Sequence, residues 1–346
     1  MGRDRKEKDE MSNTGRKART GAAKKFDLVI FGEFFSDMIF YQLRNQPRFG
    51  EEVKTDSFLI APGGGLARAA IAASRLGSAT GIVTRVGTDA ASLPTWNALM
   101  AEGLDVSACE INKDYATALT VSMAYRSNRM MVTHDPINQR LEDLLASPAV
   151  QQKLHRARHV HFACALRRPK QWIPVLKQLR EAGITVSADF GWNPDLSPSQ
   201  IHSIVRHCEF IFPNENEAKA ITGASDAVRA LEKLQEWVRV PVVKLGRRGA
   251  MLMADGKIHR EPALPIAVVD ATGAGDAFDG GFLHAFLHGS DWADCLRAGN
   301  ICGSLSSAYP GGAHGLPDPK EFRHYMGQWK TGRGTGRSER VRAQSR

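Results

Sequence analysis

Seven consecutive residues combine the types and spacing that chemistry on a phosphate needs: Asp270-Ala271-Thr272-Gly273-Ala274-Gly275-Asp276. The apolar pair Val268-Val269 precedes them, and the small-residue run Ala277-Phe278-Asp279-Gly280-Gly281-Phe282 follows. The pattern predicts a strand, a tight glycine-rich turn, and a helix beginning at about Asp276. The backbone N–H groups of Gly273, Ala274 and Gly275 would then stand unpaired at a helix N-terminus, where the helix dipole favours an anion. Glycine lets a phosphoryl group approach the backbone closely. A carboxylate at Asp276 could take the proton of an attacking hydroxyl as phosphoryl transfer proceeds. An ordinary turn with an Asp helix cap would share the glycines. The two carboxylates bracketing the turn and the small-residue helix behind it favour chemistry.

Other residues suit such a site. Asn214 and Glu217, in Asn214-Glu215-Asn216-Glu217, are spaced to share one face at the start of a helix. Hard oxygen ligands with retained water suit Mg²⁺; an Asn cap beside a solvated Glu fits the same spacing. Lys244-Leu245-Gly246-Arg247-Arg248-Gly249 follows the β-branched pair Val242-Val243. Its glycines permit a close turn, either around a ligand or as a plain hairpin, and no G-K-[ST] follows to make it a Walker loop. Asp37 could accept hydrogen bonds from two hydroxyls at once, or cap a turn.

These residues need a frame to hold them. Apolar runs at 26–31, 81–86, 159–165, 185–190, 209–213 and 241–245 alternate with helical patterns at 66–76, 93–100, 172–182, 276–287 and 291–306. The alternation predicts an α/β fold: a doubly wound, mostly parallel sheet flanked by helices. Two alternating pairs, near 38–60 and 118–133, interrupt it and would fit one small inserted sheet.

Composition narrows the class. The chain has 346 residues, 42% hydrophobic and 24% charged, enough for a large core without staples. Its net charge of +9 lies in two tails: residues 1–25 and 329–346 each carry +5, leaving the chain between them near −1. Both tails read as disordered, and 26–328 as the folded domain. No folded basic face for nucleic acid is implied. The five cysteines show no metal spacing, no apolar run reaches the roughly 20 residues of a membrane span, and the N-terminus resembles neither a secretory signal nor a transit peptide. The expectation is cytoplasmic.

The Asp270–Asp276 stretch resembles the D-T-x-G-A-G-D signature of the ribokinase-like (PfkB) carbohydrate kinase family, and the resemblance extends over residues 26–328. Gly63-Gly64 before a small-residue helix, Asn214-x-x-Glu217, Lys244–Gly249 and the late Pro310-Gly311-Gly312 follow in the family's order. The resemblance implies a small β-sheet lid over the site and ATP-dependent phosphorylation of a hydroxyl on a sugar or sugar derivative. It implies that Asn214 and Glu217 hold the magnesium of MgATP largely through water, and that Lys244, Gly246 and Gly249 bend around the nucleotide. Asn300 matches a nucleotide-site position, although a surface helix Asn reads the same way. Asp270, Thr272 and Gly311 match positions for a monovalent cation such as K⁺, with Tyr309 leaving the need for one open. Asp37, Gly64 and Gly65 would face the acceptor, and homodimers through the lid are expected of such a family.

The chain departs from the family on the acceptor side. Where the pattern G-G-x-x-x-N-x-A has Asn, this chain has Arg68, and Phe35 stands at a usually polar place. A guanidinium suits a carboxylate or phosphate, so Arg68 would either recruit an acidic acceptor or pair with Asp37 or the lid. Phe35 could stack a base, which keeps a nucleoside kinase open. A catalytically weak regulatory relative remains the reading from another class.

Overall fold

The computed structural model describes residues 24–125, 128–191 and 196–330; nearly all of both expected tails lies outside the described residues. The chain enters on β1 (Phe26–Gly32), an almost fully buried apolar run. Such a strand has no polar face for water and must be covered on both sides. Leu28 and Ile30 pack into one core and Val29 and Phe31 into a second, as the period of two requires. Next come β2 (Phe35–Phe40), β3 (Phe58–Gly63), α1 (Gly64–Arg75), β4 (Thr80–Val83), β5 (Arg85–Val86), α2 (Ser92–Met100), β6 (Glu110–Ile111), β7 (Leu119–Tyr125) and β8 (Asn128–His134). Strict alternation follows in α3 (Pro148–His155), β9 (Ala157–Ala163), α4 (Pro169–Glu181), β10 (Thr185–Asp189), α5 (Pro198–Val205) and β11 (Phe210–Ile211). The chain then runs through α6 (Glu215–Thr222), α7 (Ala227–Gln235), β12 (Val240–Lys244), β13 (Ala250–Ala254), β14 (Lys257–Glu261), α8 (Ala274–Leu287), α9 (Trp292–Ser307) and α10 (Pro319–Lys330).

Within the described residues, eight strands form one sheet in the order β14-β13-β12-β11-β10-β9-β1-β4. Neighbours from β12 to β4 run parallel, and β13 and β14 close one edge antiparallel. Because β1 has β4 on one side and β9 on the other, the winding reverses at β1 and helices cover both faces. Residues of α1, α8 and α9 fill one core, those of α4, α5 and α7 the other. The expected doubly wound α/β architecture is what the chain adopts.

The second sheet has the order β3-β2-β7-β8. It joins both alternating pairs seen in the sequence; each pair is antiparallel, and the inner contact between β2 and β7 is parallel. Some expected boundaries move. The strand expected over 81–86 breaks at Thr84, where β5 leaves to pair with β6. β2 begins at Phe35, so Asp37 lies inside a strand opposite Ala61 and Thr120, which excludes the turn-capping reading. At the C-terminal end α10 continues past 328 to Lys330, and Trp329 donates to Glu261 at 3.1 Å. No helix among the described residues is long and apolar enough to cross a membrane.

Candidate active site

The glycine-rich turn opens α8 as its sequence suggests, but the helix starts at Ala274 and the expected strand at Val268-Val269 does not form, Val269 being exposed. Gly273 caps the helix in the left-handed region (φ 69°), with no side chain satisfying the first N–H groups. A Cβ there would fall 1.9 Å from Cδ of Arg68. Only glycine fits both constraints. The Ala274 N–H is not free as expected but turns back to the Ala271 carbonyl at 3.3 Å. That of Gly275 has no partner in the preceding turn, by the geometry of a helix start. In front of the turn lies a cavity of about 870 Å³, whose lining includes Lys244, Gly246, Gly249, Asp270, Gly275 and Asn300. Its size suits a nucleotide-sized ligand.

Asp276 lies in the first turn of α8, and Asp279 falls on the same face one turn later. The carboxyl end of β10 supplies Asp189, and oxygens of the three carboxylates lie within 4.8 Å of one another. The cluster already holds a cation. Lys244, at the end of β12, places Nζ 2.6 Å from Asp189 and 3.3 Å from Asp279. Burial, the largest single influence, would raise the Asp189 carboxyl, but the charge and hydrogen bond of Lys244, with Asp279 and His161, together hold it below the usual range. Burial pushes Lys244 down while Asp189 and Asp279 hold it well above its ordinary value. Asp276 and Asp279 are both raised, first by burial. For Asp276 the charge of Asp189 adds to this, while Lys244 and Arg68 oppose it. Asp189 and Asp279 were missed from sequence, although a strand-end carboxylate and an i+3 partner of Asp276 were both available as signals.

The first glycines belong to the other side of Asp276. A Cβ on Gly65 would stand 3.0 Å from Asp276 Oδ1, and one on Gly63 would overlap the Asp37 carboxylate. Gly64 instead faces the Glu33 carbonyl, with the Phe35 ring beside it. Arg68, fully buried on α1, donates from Nη2 to Asp37 Oδ2 at 2.9 Å. Of the alternatives left open by sequence, pairing with Asp37 is the one this structure adopts. Burial raises the Asp37 carboxyl, and Arg68 partly offsets it.

Asn214 and Glu217 form a reciprocal capping box at the start of α6. Asn214 Oδ1 accepts from the N–H groups of Asn216 and Glu217, and Glu217 Oε2 accepts from the Asn214 N–H at 2.8 Å. Glu217 is only part-exposed, not solvated, and burial followed by the charges of Asp189 and Asp276 raises its carboxyl. One of its oxygens stays outside the box, and a carboxylate among like charges fits a hydrated divalent cation. Asn300 is buried and donates to the Glu261 carbonyl at 3.0 Å while lining the cavity. The Lys244–Gly249 turn is a hairpin into β13, and Lys244, Gly246, Arg247 and Gly249 line the cavity.

Asp270, Thr272 and Gly311 do converge. Asp270 accepts from the Thr272 N–H (2.9 Å) and hydroxyl (2.6 Å) and from the Gly311 N–H (3.0 Å). Arg129, on the lid strand β8, brings Nη1 to the Thr272 hydroxyl and to within 3.5 Å of Asp270. The Asp270 carboxylate and the Thr272 hydroxyl are thus engaged, and a guanidinium lies against them where the resemblance implied a monovalent cation.

Residues 25–319 match the pfkB family carbohydrate kinase profile. A cytidine kinase of Thermococcus kodakarensis is 31% identical over 248 residues, covering 69% of this chain and 84% of that protein. Among solved structures, the chain resembles Arabidopsis thaliana ribokinase complexed with ribose and ATP, with TM-score 0.73 and 24% identity over 87% of this chain and 98% of that one. It resembles Burkholderia thailandensis nucleoside kinase in complex with inosine equally well, with TM-score 0.73 and 20% identity over 88% and 99%. The last two likenesses establish the fold alone; the first two establish the family. The chain belongs to the pfkB family of carbohydrate kinases and is an ATP-dependent carbohydrate kinase.

Proposed function

We propose that this chain transfers the γ-phosphoryl group of ATP to a hydroxyl of a sugar, free or within a nucleoside. The observation that carries this reading is the position of Asp276, whose carboxylate lies against Gly65 on the acceptor side and at the anion turn of α8 on the other. In this reading Asp276 takes the hydroxyl proton, while Gly273, Ala274 and Gly275 frame the anion hole for the transferred group. The turn around Gly246 and Gly249, with Lys244 and Asn300, cradles the nucleotide. Glu217, steadied by Asn214, holds the magnesium of MgATP through water; bound there, the ion would neutralise phosphate charge. Arg129 supplies the positive charge at Asp270 and Thr272, and K⁺ has no step here. Asp37 and the glycines Gly64 and Gly65 meet the acceptor. Phe35 beside Gly64 offers a flat apolar surface, and with the likeness to a cytidine kinase it supports a nucleoside as the second reading.

The five free cysteines support a reducing, cytoplasmic setting. We also propose pairing of two chains through the lid, whose edge strands expose Phe58, Met130 and Val132; light scattering on the purified chain checks it.

The test is ADP release from MgATP over pentoses, sugar acids and nucleosides. One class should stimulate it, and Asp276→Asn should lower the rate about 100- to 10,000-fold. Undiminished activity in that variant would sink the base role. MgATP binding without acceptor-dependent release across the panel would favour a regulatory relative.

A further inference from the structure

We propose that Arg68 binds the phosphoryl group in transfer, reaching it from the acceptor side of the anion turn. This rests on the reading of Asp276 and α8 as the site of phosphoryl transfer.

The side chain is built in, not draped over a surface: Arg68 is 2% exposed. A guanidinium offers five N–H donors in a rigid fork. Asp37 accepts from Nη2 at 2.9 Å, a contact to one nitrogen only, so the fork is not used up by this pair. Nε is buried and has no hydrogen-bond partner. A buried cationic donor left unpaired is costly, and such groups call for an explanation.

The place of Nε supplies one. A Cβ on Gly273 would lie 2.3 Å from Nε, and one on Gly312 would lie 3.3 Å from it. The unpaired donor therefore sits over the glycine whose turn opens the anion site of α8. A negatively charged acceptor is a poorer occupant. Asp37 already stands on the acceptor side of the guanidinium, so an acceptor's own anionic group would meet a like charge there. An anion at the turn would meet Nε and the helix N-terminus together, with Lys244 beside Gly275 to offset the charge of Asp276. The natural occupant is the phosphoryl group passing from nucleotide to hydroxyl, whose charge spreads over its equatorial oxygens during transfer.

The test uses the full-length protein and compares binding of MgADP alone with MgADP plus aluminium fluoride, a planar mimic of the phosphoryl group in transfer, by calorimetry. The wild type should bind the fluoride complex at least roughly tenfold more tightly than MgADP. Arg68→Asn should keep MgADP affinity within about twofold and lose that increment. Arg68→Lys keeps a cation opposite Asp37 but removes Nε; it should lose the increment too, and serves if the Asn variant fails to fold. MgADP binding by the wild type with no increment, or an increment that survives in full in either variant, overturns the role of Arg68 and leaves the kinase reading standing. A wild type that binds no MgADP overturns both.

Discussion

The ammonium of Lys244 lies 2.6 Å from the carboxylate of Asp189, and this pair sets the charge behind Asp276. Asp189 raises the Asp276 carboxyl and Lys244 lowers it, while burial, the largest influence, leaves it above the ordinary range. A base must be deprotonated to work, so activity should fall as pH drops through this raised value, above the roughly 3.9 of a free Asp. In Asp189→Asn the raising charge is gone and Lys244 turns fully to Asp279 and Asp276. The acid limb of the kcat/KM profile should then move to lower pH. A limb that stays put, or moves up, contradicts the arrangement.

Gly273 is required by two independent demands, a positive φ and the Arg68 side chain against its α-carbon. In Gly273→Ala the left-handed backbone should cost about 1–2 kcal/mol, read from denaturant midpoints. The new methyl group must also displace Arg68 or the turn. Activity should fall more than roughly tenfold, beyond what the lost stability explains. Full activity in the folded variant would show that the turn does not need this close approach.

What the sequence made legible was local. The apolar run of β1, the alternating lid pairs and the glycine turn before α8 each carry their signal within a few residues. Strand β14 was missed because Lys-Ile-His-Arg-Glu is a polar edge with no buried face to betray it. Helix α7 could have been found: Asp226 caps it, and Ala227, Ala230, Leu231 and Leu234 are spaced as one buried stripe. Asp189 and Asp279 each carried a local signal, but their meeting with Lys244 could not be read, since three elements far apart in the chain come together only when the sheet is wound. Arg68 lay between: its type predicted an anion partner, but not that Asp37 would take only one of its nitrogens.

Arg129 bridges the lid to Asp270 and Thr272 across the cavity mouth. If its guanidinium does the work of a bound cation, the wild-type rate should be indifferent to K⁺ at constant ionic strength. Arg129→Ala should lose roughly tenfold in rate, and K⁺ but not a bulky organic cation should restore part of it. Strong K⁺ activation of the wild type would contradict this.

Glu142 tests the scaffold instead of the chemistry. It is 2% exposed, yet every donor around it is answered. Its Oε1 accepts from the Trp172 indole at 2.6 Å and from the backbone N–H groups of Arg167 and Arg168 at 3.0 Å. Its Oε2 accepts from Arg168 Nε at 3.1 Å. Trp172 in turn packs on Phe31 of β1 and Phe162 of β9, so the carboxylate pins α4 to the centre of the sheet. Glu142→Ala strands an indole and two backbone donors in the interior and should cost about 3–5 kcal/mol. Glu142→Gln keeps an acceptor for the indole but turns an amide against Arg168, and should cost about 1–3 kcal/mol. Denaturant titration with an unchanged slope distinguishes lost stability from a changed unfolded state. Equal midpoints for the two variants would mean that the charge, and not the set of accepted bonds, is what holds this corner.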